Sequence, residues 1–380
     1  MGQNNQIATL DQSQLIAIAN KFSAQKQVAD IQPFGSGNIN DTFLVSLQEP
    51  TAKPFILQRI NTQVFSEPKL VMQNMRTYAN HVQDRIQNSP LDRRWDIPQV
   101  LQTAQGEDYW QTESGEFWRS LSFIADSQSF DVMGNTKQAR EVGYALGMFH
   151  HLTSDLAPER LADTLEGFHL TPRYFRQYEQ VLASSNFKRS PEVDYCLKFV
   201  CDRKGLAHIL EDAKAAGKLP LRTMHGDPKV NNILFDRQTQ LAVSVIDLDT
   251  VKSGLVHYDI GDCLRSGCNP AGEETEQWQD VEFDTELCQG ILQGYLSMAR
   301  SFLTEYDYAY IYDAVRVITF ELGLRFFTDY LAGNVYFHVK YPEHNLLRSL
   351  VQFRLVESIE AQELVVNKVI KDIWNHHKQF

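Results

Sequence analysis

The sequence predicts an α+β fold in two lobes, the first built on an antiparallel sheet with one helix and the second mainly helical. Strand-like alternation dominates residues 1–125, with a single helical segment after Ser66. Helical periodicity dominates residues 126–380. The exception is an apolar hairpin pattern over residues 233–246, which we place in the second lobe.

The first lobe begins with a strand–turn–strand pattern over residues 30–47, and its turn contains the triplet Gly35-Ser-Gly37. Glycines at such a turn let backbone N–H groups approach a phosphate closely. The same residues also suit an ordinary hairpin turn. Residues 54–60 predict the next strand, on which Arg59 is the expected cation for the phosphates and Gln58 the alternative if the register differs by one residue. Neighbouring side chains of a strand point to opposite faces, so only one of them can serve.

Residues 66–83 predict the helix of the first lobe, with Ser66 as its N-cap and Pro68 in its first turn. Its apolar residues recur at helical spacing and give the helix one core-facing side: Val71, Met75, Tyr78 and Val82. Residues 117–124 predict the last strand of this lobe.

In the second lobe, residues 137–152 carry an apolar stripe that is typical of a core helix. His150 and His151 lie at the end of that helix. We expect them to contact its terminal carbonyl groups rather than a metal ion.

One pattern in the second lobe carries most of the chemical information. The segment His225-Gly-Asp-Pro-Lys-Val-Asn-Asn232 has the form H-x-D-x-x-x-x-N, and Asp247 follows on an apolar strand. Residues 233–235 and 241–246 predict a hairpin that brings Asn232 and Asp247 together. These residue types, in this order and spacing, indicate a kinase centre.

Phosphoryl transfer from ATP explains why these residue types are needed. Its transition state is loose and highly charged, so a protein mainly positions groups and neutralises charge. Asp227 is the predicted base that takes the proton of the acceptor hydroxyl. The amide oxygen of Asn232 and the carboxylate of Asp247 are the predicted ligands of Mg²⁺, a cation that prefers oxygen. Each residue alone also suits a turn or a strand end.

Three further residues are expected to support this centre. His225 opens the motif, and Asp259 lies in the segment Tyr-Asp-Ile-Gly-Asp, where it either caps a helix or braces the motif. Asp249 follows Asp247 by two residues. It suits either a third metal ligand or a supporting hydrogen bond.

The acceptor site gives weaker signals. Glu321, Arg325 and Asp329 recur every four residues and therefore share one face of a predicted helix. They suit either hydrogen bonds to the hydroxyl groups of a sugar or an i,i+4 ion-pair ladder on a solvated helix. Other candidates lie near the metal segment or just past the glycine turn: Arg265, Asn40 and Asp41.

These segments resemble the aminoglycoside phosphotransferase and choline kinase-like superfamily, a branch of the protein-kinase-like fold. The resemblance rests on residues 35–43, 55–61, 225–236, 245–265 and 321–330. Within the superfamily, the closest likeness is to the N-acetylhexosamine 1-kinases. The resemblance implies a phosphotransferase with an alcohol group as acceptor and with ATP and Mg²⁺ as cofactors. It also implies that adenine binds at a hinge formed by Ser122, Phe123 and Ile124.

Two features depart from the general kinase pattern. The strand at residues 54–60 has no Lys, and the following helix offers only Glu67 as a partner for a strand cation. His-Gly-Asp in place of His-Arg-Asp agrees with kinases of small molecules.

Composition limits the partners and the location. The formal net charge is −12 and no basic stripe is present, so we expect no nucleic-acid partner. No apolar run is long enough to span a membrane, and the first thirty residues lack the core of a signal peptide. The five cysteines lack metal-site spacing, and together with a need for ATP they favour the cytoplasm. The sequence carries no signal for the oligomeric state.

Three functions are compatible with the sequence. The first is a kinase for the anomeric hydroxyl of an N-acetylhexosamine. The second is a kinase of the same fold for choline, homoserine or an aminoglycoside, and the third is a nucleotide-binding pseudokinase. The mixed charge at residues 321–329 favours a polyhydroxyl acceptor. The presence of Asp227 favours a kinase, because a module that only binds nucleotide does not need a base.

Overall fold

The computed structural model describes residues 11–35 and 39–377. The chain divides into two compact units. The first comprises the residues up to Asn80 together with Asp96–Ala125, and the second comprises His81–Trp95 and the residues from Asp126 onwards. Residues 81–95 lie in the second unit, although they precede Ala125 in the sequence.

A six-stranded antiparallel sheet forms the first unit. The strands are β1 Val28–Pro33, β2 Asp41–Leu47, β3 Phe55–Ile60, β4 Val100–Leu101, β5 Trp110–Gln111 and β6 Phe117–Ser122. Their spatial order is β1-β2-β3-β6-β4, and β5 also pairs with β6. Helix α1 (Gln12–Ala19) contributes Ile18 and Ala19 to a core with Val45, Leu57 and Trp118 of the sheet. Burial of this apolar face fixes the strand register, because a one-residue slip would expose it.

Helix α2 (Pro68–Asn88) starts later and runs further than the sequence predicts. The Leu70 N–H donates to the Glu67 carbonyl, so Ser66 lies outside the helix and is not its N-cap. All four predicted apolar residues of this helix are buried: Val71, Met75, Tyr78 and Val82.

The second unit is mainly helical. Its helices are α3 Thr136–Thr153, α4 Thr171–Ser184, α5 Pro191–Arg203, α6 Ile209–Ala215, α7 Val256–Gly267, α8 Thr285–Ala299, α9 Glu305–Ala309, α10 Ile311–Leu331, α11 His344–Ala361 and α12 Glu363–His377. Aromatic residues of α4, α5, α10 and α11 contribute to one of its hydrophobic cores: Tyr178, Phe199, Phe320, Phe327 and Phe353. Among the residues that the structure describes, none of the helices combines the length and the hydrophobicity needed to cross a bilayer.

Short strands frame the predicted hairpin in this unit. They are β7 Ser127–Gln128, β8 Arg222–Met224, β9 Ile233–Asp236, β10 Ala242–Val245 and β11 Lys252–Gly254. Strands β9 and β10 pair antiparallel, which confirms the hairpin, and β8 pairs antiparallel with β11. The segment His225–Asn232 therefore lies between β8 and β9.

The backbones of helices α3 and α8 lie in direct contact where glycines line their crossing. A Cβ atom at Gly143 would overlap the carbonyl oxygen of Ile291, and one at Gly294 would overlap the carbonyl oxygen of Arg140. The backbones thus approach where a larger residue cannot fit.

We expect Gly143→Ala to lower the free energy of unfolding by about 3 kcal/mol, because the added methyl group forces α3 and α8 apart. Gly205→Ala is the matched control, since a Cβ there meets nothing within 4 Å. The control should leave the stability unchanged or raise it by about 0.5 kcal/mol. Urea denaturation of both variants measures the difference, and equal midpoints would contradict the close crossing.

Candidate active site

The segment His225–Asn232, here called the His225 loop, is held tightly at its start. The Thr250 hydroxyl donates to the His225 carbonyl at 2.7 Å. Gly226 has a φ of +88°. A Cβ there would lie 2.9 Å from the Cβ of Thr250. Only glycine satisfies both conditions, which explains His-Gly-Asp in place of a sequence with a larger middle residue.

The Asp259 carboxylate, in the first turn of α7, fixes the backbone of the His225 loop. It accepts the His225 N–H at 2.6 Å and the Gly226 N–H at 2.8 Å. The buried His150 ring of α3 lies 2.8 Å from the same carboxylate and 3.0 Å from the Tyr295 hydroxyl of α8. Burial raises the pKa of Asp259, but His150 and the loop outweigh burial and hold it below its usual value. Both nitrogens of His150 are engaged here, so this ring does not bind the terminal carbonyls of α3 as the sequence predicts.

The ring of His225 connects the loop to the end of β10. The Asp227 N–H donates to His225 Nδ1 at 3.2 Å, so Nδ1 carries no proton. Nε2 therefore holds the proton and donates to the Ile246 carbonyl at 2.9 Å. Burial lowers the pKa of His225, which keeps the ring neutral. The ring thus ties the backbone of Asp227 to the residue that precedes Asp247.

Asp227 pairs with Lys229 two residues later. Lys229 Nζ lies 2.9 Å from Asp227 Oδ2. Burial raises the pKa of Asp227, but Lys229, together with Arg265, outweighs that effect and holds the pKa below its usual value. The Asp227 carboxylate in turn raises the pKa of Lys229. At neutral pH both groups are charged, and an ionised carboxylate is what a base requires.

Asn232 and Asp247 lie at adjacent ends of the β9–β10 hairpin, since the Ile246 N–H donates to the Asn232 carbonyl at 2.9 Å. Asn232 Nδ2 donates to the Asp227 carbonyl at 2.7 Å. The oxygen of the same side-chain amide, Oδ1, therefore points away from that carbonyl. Asp247 is exposed and left-handed, with a φ of 65°. Asp249 is buried. One amide oxygen and one exposed carboxylate fit Mg²⁺, which commonly keeps waters and phosphates as its other ligands.

A second anchor reaches the His225 loop from α10. Glu321 Oε1 lies 2.9 Å from His169 Nδ1, and Oε2 accepts the Thr171 hydroxyl at 2.6 Å. The other ring nitrogen of His169 lies 2.8 Å from the Gly226 carbonyl. Both oxygens of Glu321 therefore have partners in other elements of the second unit.

Asp329, two turns further along α10, caps the segment that follows this helix. Its carboxylate accepts the backbone N–H groups of Val335, Tyr336 and Phe337 and the side-chain amide of Asn345. Arg325 has its guanidinium 4.8–5.6 Å from the ring centroids of Phe168, Tyr174 and Phe337. The alternative of an i,i+4 ion-pair ladder is therefore wrong, because Glu321, Arg325 and Asp329 contact different partners.

Arg265 lies in a buried charged cluster on α7. Its Nε donates to Asp262 Oδ1 at 2.8 Å, and its Nη1 donates to Glu273 at 2.9 Å. Asp262 Oδ2 is buried and has no hydrogen-bond partner among the described residues. Burial raises the pKa of Asp262 against the opposing effect of Arg265, and the nearby Asp227 carboxylate raises it further. One carboxylate oxygen close to Asp227 thus lacks a donor.

In the first unit, Gln58 and Arg119 share the face of the sheet that contacts α2. The two residues are directly opposite each other on β3 and β6, and Arg119 Nε donates to Gln58 Oε1 at 2.9 Å. Arg119 Nη1 also lies 3.0 Å from the sulfur of Met75 on α2. This face therefore contains a buried arginine, 1% exposed, behind the neutral Gln58.

Arg59 faces the opposite side of β3, and carboxylates flank it. Its Nε donates to Asp41 at 2.7 Å, and its Nη1 donates to Glu116 at 2.6 Å. Asn40 Oδ1 accepts the Asn61 N–H at 2.9 Å. Asn40 and Asp41, two of the predicted acceptor contacts, thus have partners within the first unit.

The glycine turn is described only in part. Gly35 has a φ of +77°, and a Cβ there would meet nothing within 4 Å. Ser36 and Gly37 lie outside the described residues. Phe34, beside this turn, packs edge-to-face on Phe123 with a centroid distance of 5.8 Å.

Ser122, the first residue of the predicted hinge, already makes hydrogen bonds within the sheet. The Ser122 N–H donates to the Gln99 carbonyl at 2.8 Å, and its hydroxyl accepts the Gln99 N–H at 2.9 Å. The backbone N–H and the hydroxyl of Ser122 are therefore engaged within the sheet, and adenine binding at Ser122, Phe123 and Ile124 stays a prediction.

Four residues with contacts at or near the site were not predicted from the sequence: Lys229, Arg119, Asp262 and His169. The spacing D-x-K-x-x-N could have identified Lys229, and a charge inside an apolar strand could have identified Arg119. Asp262 follows Asp259 by one helical turn, which gave a further signal. His169 gave none, since its partner Glu321 is 152 residues away.

Comparison with known families gives one extended match. A family described as "Phosphotransferase enzyme family" (APH) matches residues 30–299. This range begins within β1 and contains Asp227, Asn232 and Asp247. It ends with α8, so Glu321, Arg325 and Asp329 lie beyond it.

Solved structures with a similar fold cover nearly the whole chain. Choline kinase from Cryptosporidium parvum Iowa II is 14% identical, with a TM-score of 0.58 over 95% of this chain and 98% of that chain. A microcompartment-associated aminopropanol kinase is 15% identical, with a TM-score of 0.58 over 93% and 98% of the two chains. Spectinomycin phosphotransferase, solved with ADP and spectinomycin, is 14% identical, with a TM-score of 0.56 over 92% and 98%. These similarities confirm the predicted fold class.

We expect Asp259→Asn to lower the free energy of unfolding by about 3 kcal/mol, because the amide offers one acceptor where the carboxylate offers two. Hydrogen exchange at the His225 and Gly226 amides should become faster. Asp313→Asn, at a helix-surface ion pair with Arg316, should change the stability by less than about 1 kcal/mol. Urea denaturation and amide exchange measure both effects, and unchanged exchange at the two loop amides would remove the bracing role from Asp259.

Proposed function

This chain belongs to the phosphotransferase enzyme family, and from that premise we propose that it is an ATP-dependent kinase of a small-molecule alcohol. The arrangement around Asp227 carries the proposal. The ionised carboxylate of Asp227 lies on a loop that Asp259 holds in place, and Lys229 pairs with it. Asn232 and Asp247, which offer oxygen ligands, lie at adjacent ends of the β9–β10 hairpin.

Asp227 acts as the base. The acceptor hydroxyl donates a hydrogen bond to the carboxylate, its oxygen attacks the γ-phosphorus of ATP, and the proton passes to Asp227 as the new O–P bond forms. The bond between the γ-phosphorus and the bridging oxygen breaks, and ADP leaves with that oxygen. Because the pKa of Asp227 is low, the proton moves late in this step.

Lys229 neutralises charge on the transferred group. Its ammonium pairs with Asp227 and also lies close enough to Asp247 for that carboxylate to raise its pKa. Magnesium bound through Asn232 and Asp247 would supply further positive charge to the phosphate oxygens. Asn232 has a second role, because its amide N–H holds the carbonyl of Asp227 in place.

The first unit binds the nucleotide in this proposal. Kinases place their strand cation on the face that meets the helix after it. In this chain, that face carries Gln58 with the buried Arg119 behind it, whereas Arg59 on the other face is flanked by two carboxylates. The adenine would meet the backbone at Phe123 and Ile124, and Gly35 would lie beside the phosphates.

The proposed acceptor is the anomeric hydroxyl of an N-acetylhexosamine, which gives a sugar 1-phosphate. The resemblance of the sequence to N-acetylhexosamine 1-kinases supports this choice. Two features of the second unit also support a polyhydroxyl acceptor. Asp262 Oδ2 has no donor among the described residues. Arg325 already occupies the aromatic faces on which a simple cation such as choline would bind.

Release of ADP from Mg-ATP against a panel of acceptors tests the proposal. The panel contains N-acetylglucosamine, N-acetylgalactosamine, glucose, galactose, choline, homoserine and kanamycin. We expect release with an N-acetylhexosamine, accompanied by loss of its reducing end. Release with choline or kanamycin alone would keep the kinase and overturn the sugar acceptor. Silence across the panel, with Mg-ATP still bound, would favour a nucleotide-binding module.

Asp227→Asn should lower kcat by about 10²–10⁴-fold, because the amide cannot take the proton. Binding of Mg-ATP should change little, since Asp227 meets the acceptor rather than the nucleotide. Asp202→Asn, at an exposed ion pair with Lys198, is the control and should keep full activity. Stopped-flow kinetics and calorimetry with Mg-ATP provide the two measurements. Turnover that survived in the Asp227 variant would assign the base elsewhere.

Two arginine variants test which face of β3 meets the nucleotide. Arg119→Gln should raise the Kd of Mg-ATP about tenfold or more, because it removes the buried positive charge that attracts the phosphates from behind Gln58. Arg59→Gln should leave it within about threefold, because its charge is taken up by carboxylates. Circular dichroism melts verify that both variants fold. The reverse order of the two Kd values would place the nucleotide on the Arg59 face.

A further inference from the structure

We propose that His169 is a positioning residue of this kinase centre, whose ring ties the Gly226 carbonyl, next to the base Asp227, to the Glu321 carboxylate of α10. The role of Asp227 as the base rests on the proposed function. The contacts themselves lie entirely within the second unit.

The ring completes a clamp on a single peptide group. The peptide between Gly226 and Asp227 has its carbonyl 2.8 Å from His169 Nε2 and its N–H donated to His225 Nδ1 at 3.2 Å. Asp259 holds the preceding N–H, that of Gly226. Rotation of this peptide would move the Asp227 carboxylate, and both of its polar ends are bound. His169 supplies one of the two ends.

The two partners of the His169 ring both accept hydrogen bonds. Nε2 faces a backbone carbonyl at 2.8 Å, and Nδ1 faces a carboxylate oxygen of Glu321 at 2.9 Å. A neutral imidazole carries one N–H, so two donated bonds require the imidazolium. The hydroxyl of Thr171 donates to the other oxygen of Glu321 at 2.6 Å, which leaves Glu321 as the acceptor on both sides.

The surroundings of the ring favour this charged form. Burial lowers the pKa of His169, but Glu321, the Gly226 carbonyl and the Asp262 carboxylate together raise it above its usual value. Tyr258 of α7 stacks on the ring at 5.3 Å. Its own pKa is raised by burial, so it stays neutral. The ionisable groups that face His169 are therefore Glu321 from α10 and Asp262 and Tyr258 from α7.

The backbone of His169 is strained in a way that fits a positioning role. Its φ is +63°, in the left-handed region that a residue with a Cβ rarely adopts, and its side chain is buried. Such conformations persist where the surrounding contacts fix them. The turn at His169 brings the ring between α10 and the His225 loop.

The protonation state links this clamp to pH. Because Glu321, the Gly226 carbonyl and Asp262 raise the pKa of His169, the ring loses its second proton at a higher pH than an ordinary imidazole does. After that loss, the lone pair of one ring nitrogen faces an acceptor oxygen and the clamp loosens. The proposal therefore predicts that kcat falls on the alkaline side with the titration of His169.

Glu321→Gln provides the decisive variant, since it keeps the shape of the side chain and removes its charge. The pKa of His169 should fall by about 1–3 units, the usual effect of one adjacent opposite charge. The alkaline limb of the kcat profile should move to lower pH by the same amount, with the KM for ATP unchanged. Glu360→Gln is the matched control, because Glu360 pairs with Arg203 away from the loop, and its profile should match that of the unmodified chain.

Nuclear magnetic resonance of the full chain with ¹⁵N-labelled histidine measures the ring directly, without nucleotide or acceptor. His169→Asn assigns the resonance, and asparagine tolerates the left-handed backbone. This variant should also lower kcat about tenfold or more, since its side chain is too short to span both acceptors.

A His169 ring that titrates below 6.5 in the unmodified chain would overturn the proposal, as would an alkaline limb unmoved by Glu321→Gln. The resonance shift does not depend on turnover. A shifted titration without any active acceptor would therefore support the clamp while the kinase assignment failed.

Discussion

One buried carboxylate organises the second unit. Asp259 accepts two consecutive backbone N–H groups, those of His225 and Gly226, and it needs the His150 ring as well. Burying a charge is costly unless donors surround it, so three helices must pack closely enough to supply and support those donors. Helix α7 carries Asp259 itself, α3 carries His150, and α8 supplies the tyrosine that holds His150. The glycines at the crossing of α3 and α8 allow this approach, so the packing of these helices sets the geometry of the loop.

The electrostatics of the loop follow from the same arrangement. Burial alone would raise the pKa of Asp227 and favour its neutral form, but Lys229 lowers the pKa and keeps the carboxylate ionised. The ion pair between them has a second consequence. A phosphate that takes up the ammonium of Lys229 would leave Asp227 with less stabilisation of its charge, and a less stabilised carboxylate is a stronger base. In the proposed reaction, arrival of the nucleotide would thus strengthen Asp227 as a base when the acceptor proton leaves.

Local sequence patterns predicted the parts of this site that local interactions build. The hairpin, the H-x-D-x-x-x-x-N loop and the buried face of α2 depend on residues close in the chain, so periodicity and turn signals predict them. The spacing of Glu321, Arg325 and Asp329 correctly gave one helix face, but spacing alone does not reveal what a face contacts. Similarly, alternation along β3 established that Gln58 and Arg59 diverge, while only the pairing with β6 reveals Arg119 as the neighbour of Gln58. His169 depends on a contact across 152 residues, and no local pattern predicts such a pair.

Helix α10 contacts two different parts of the second unit. The matched family range ends at residue 299, before this helix begins. Within α10, Glu321 is turned toward the His225 loop, whereas Asp329 captures the N–H groups of the segment that carries Phe337. Arg325 lies between them and contacts Phe337. Changes in the segment after α10 would therefore alter the surroundings of Arg325 while leaving the clamp on Gly226 intact. In the proposed function, one helix would thus hold the base in position at one turn and contact the acceptor two turns later.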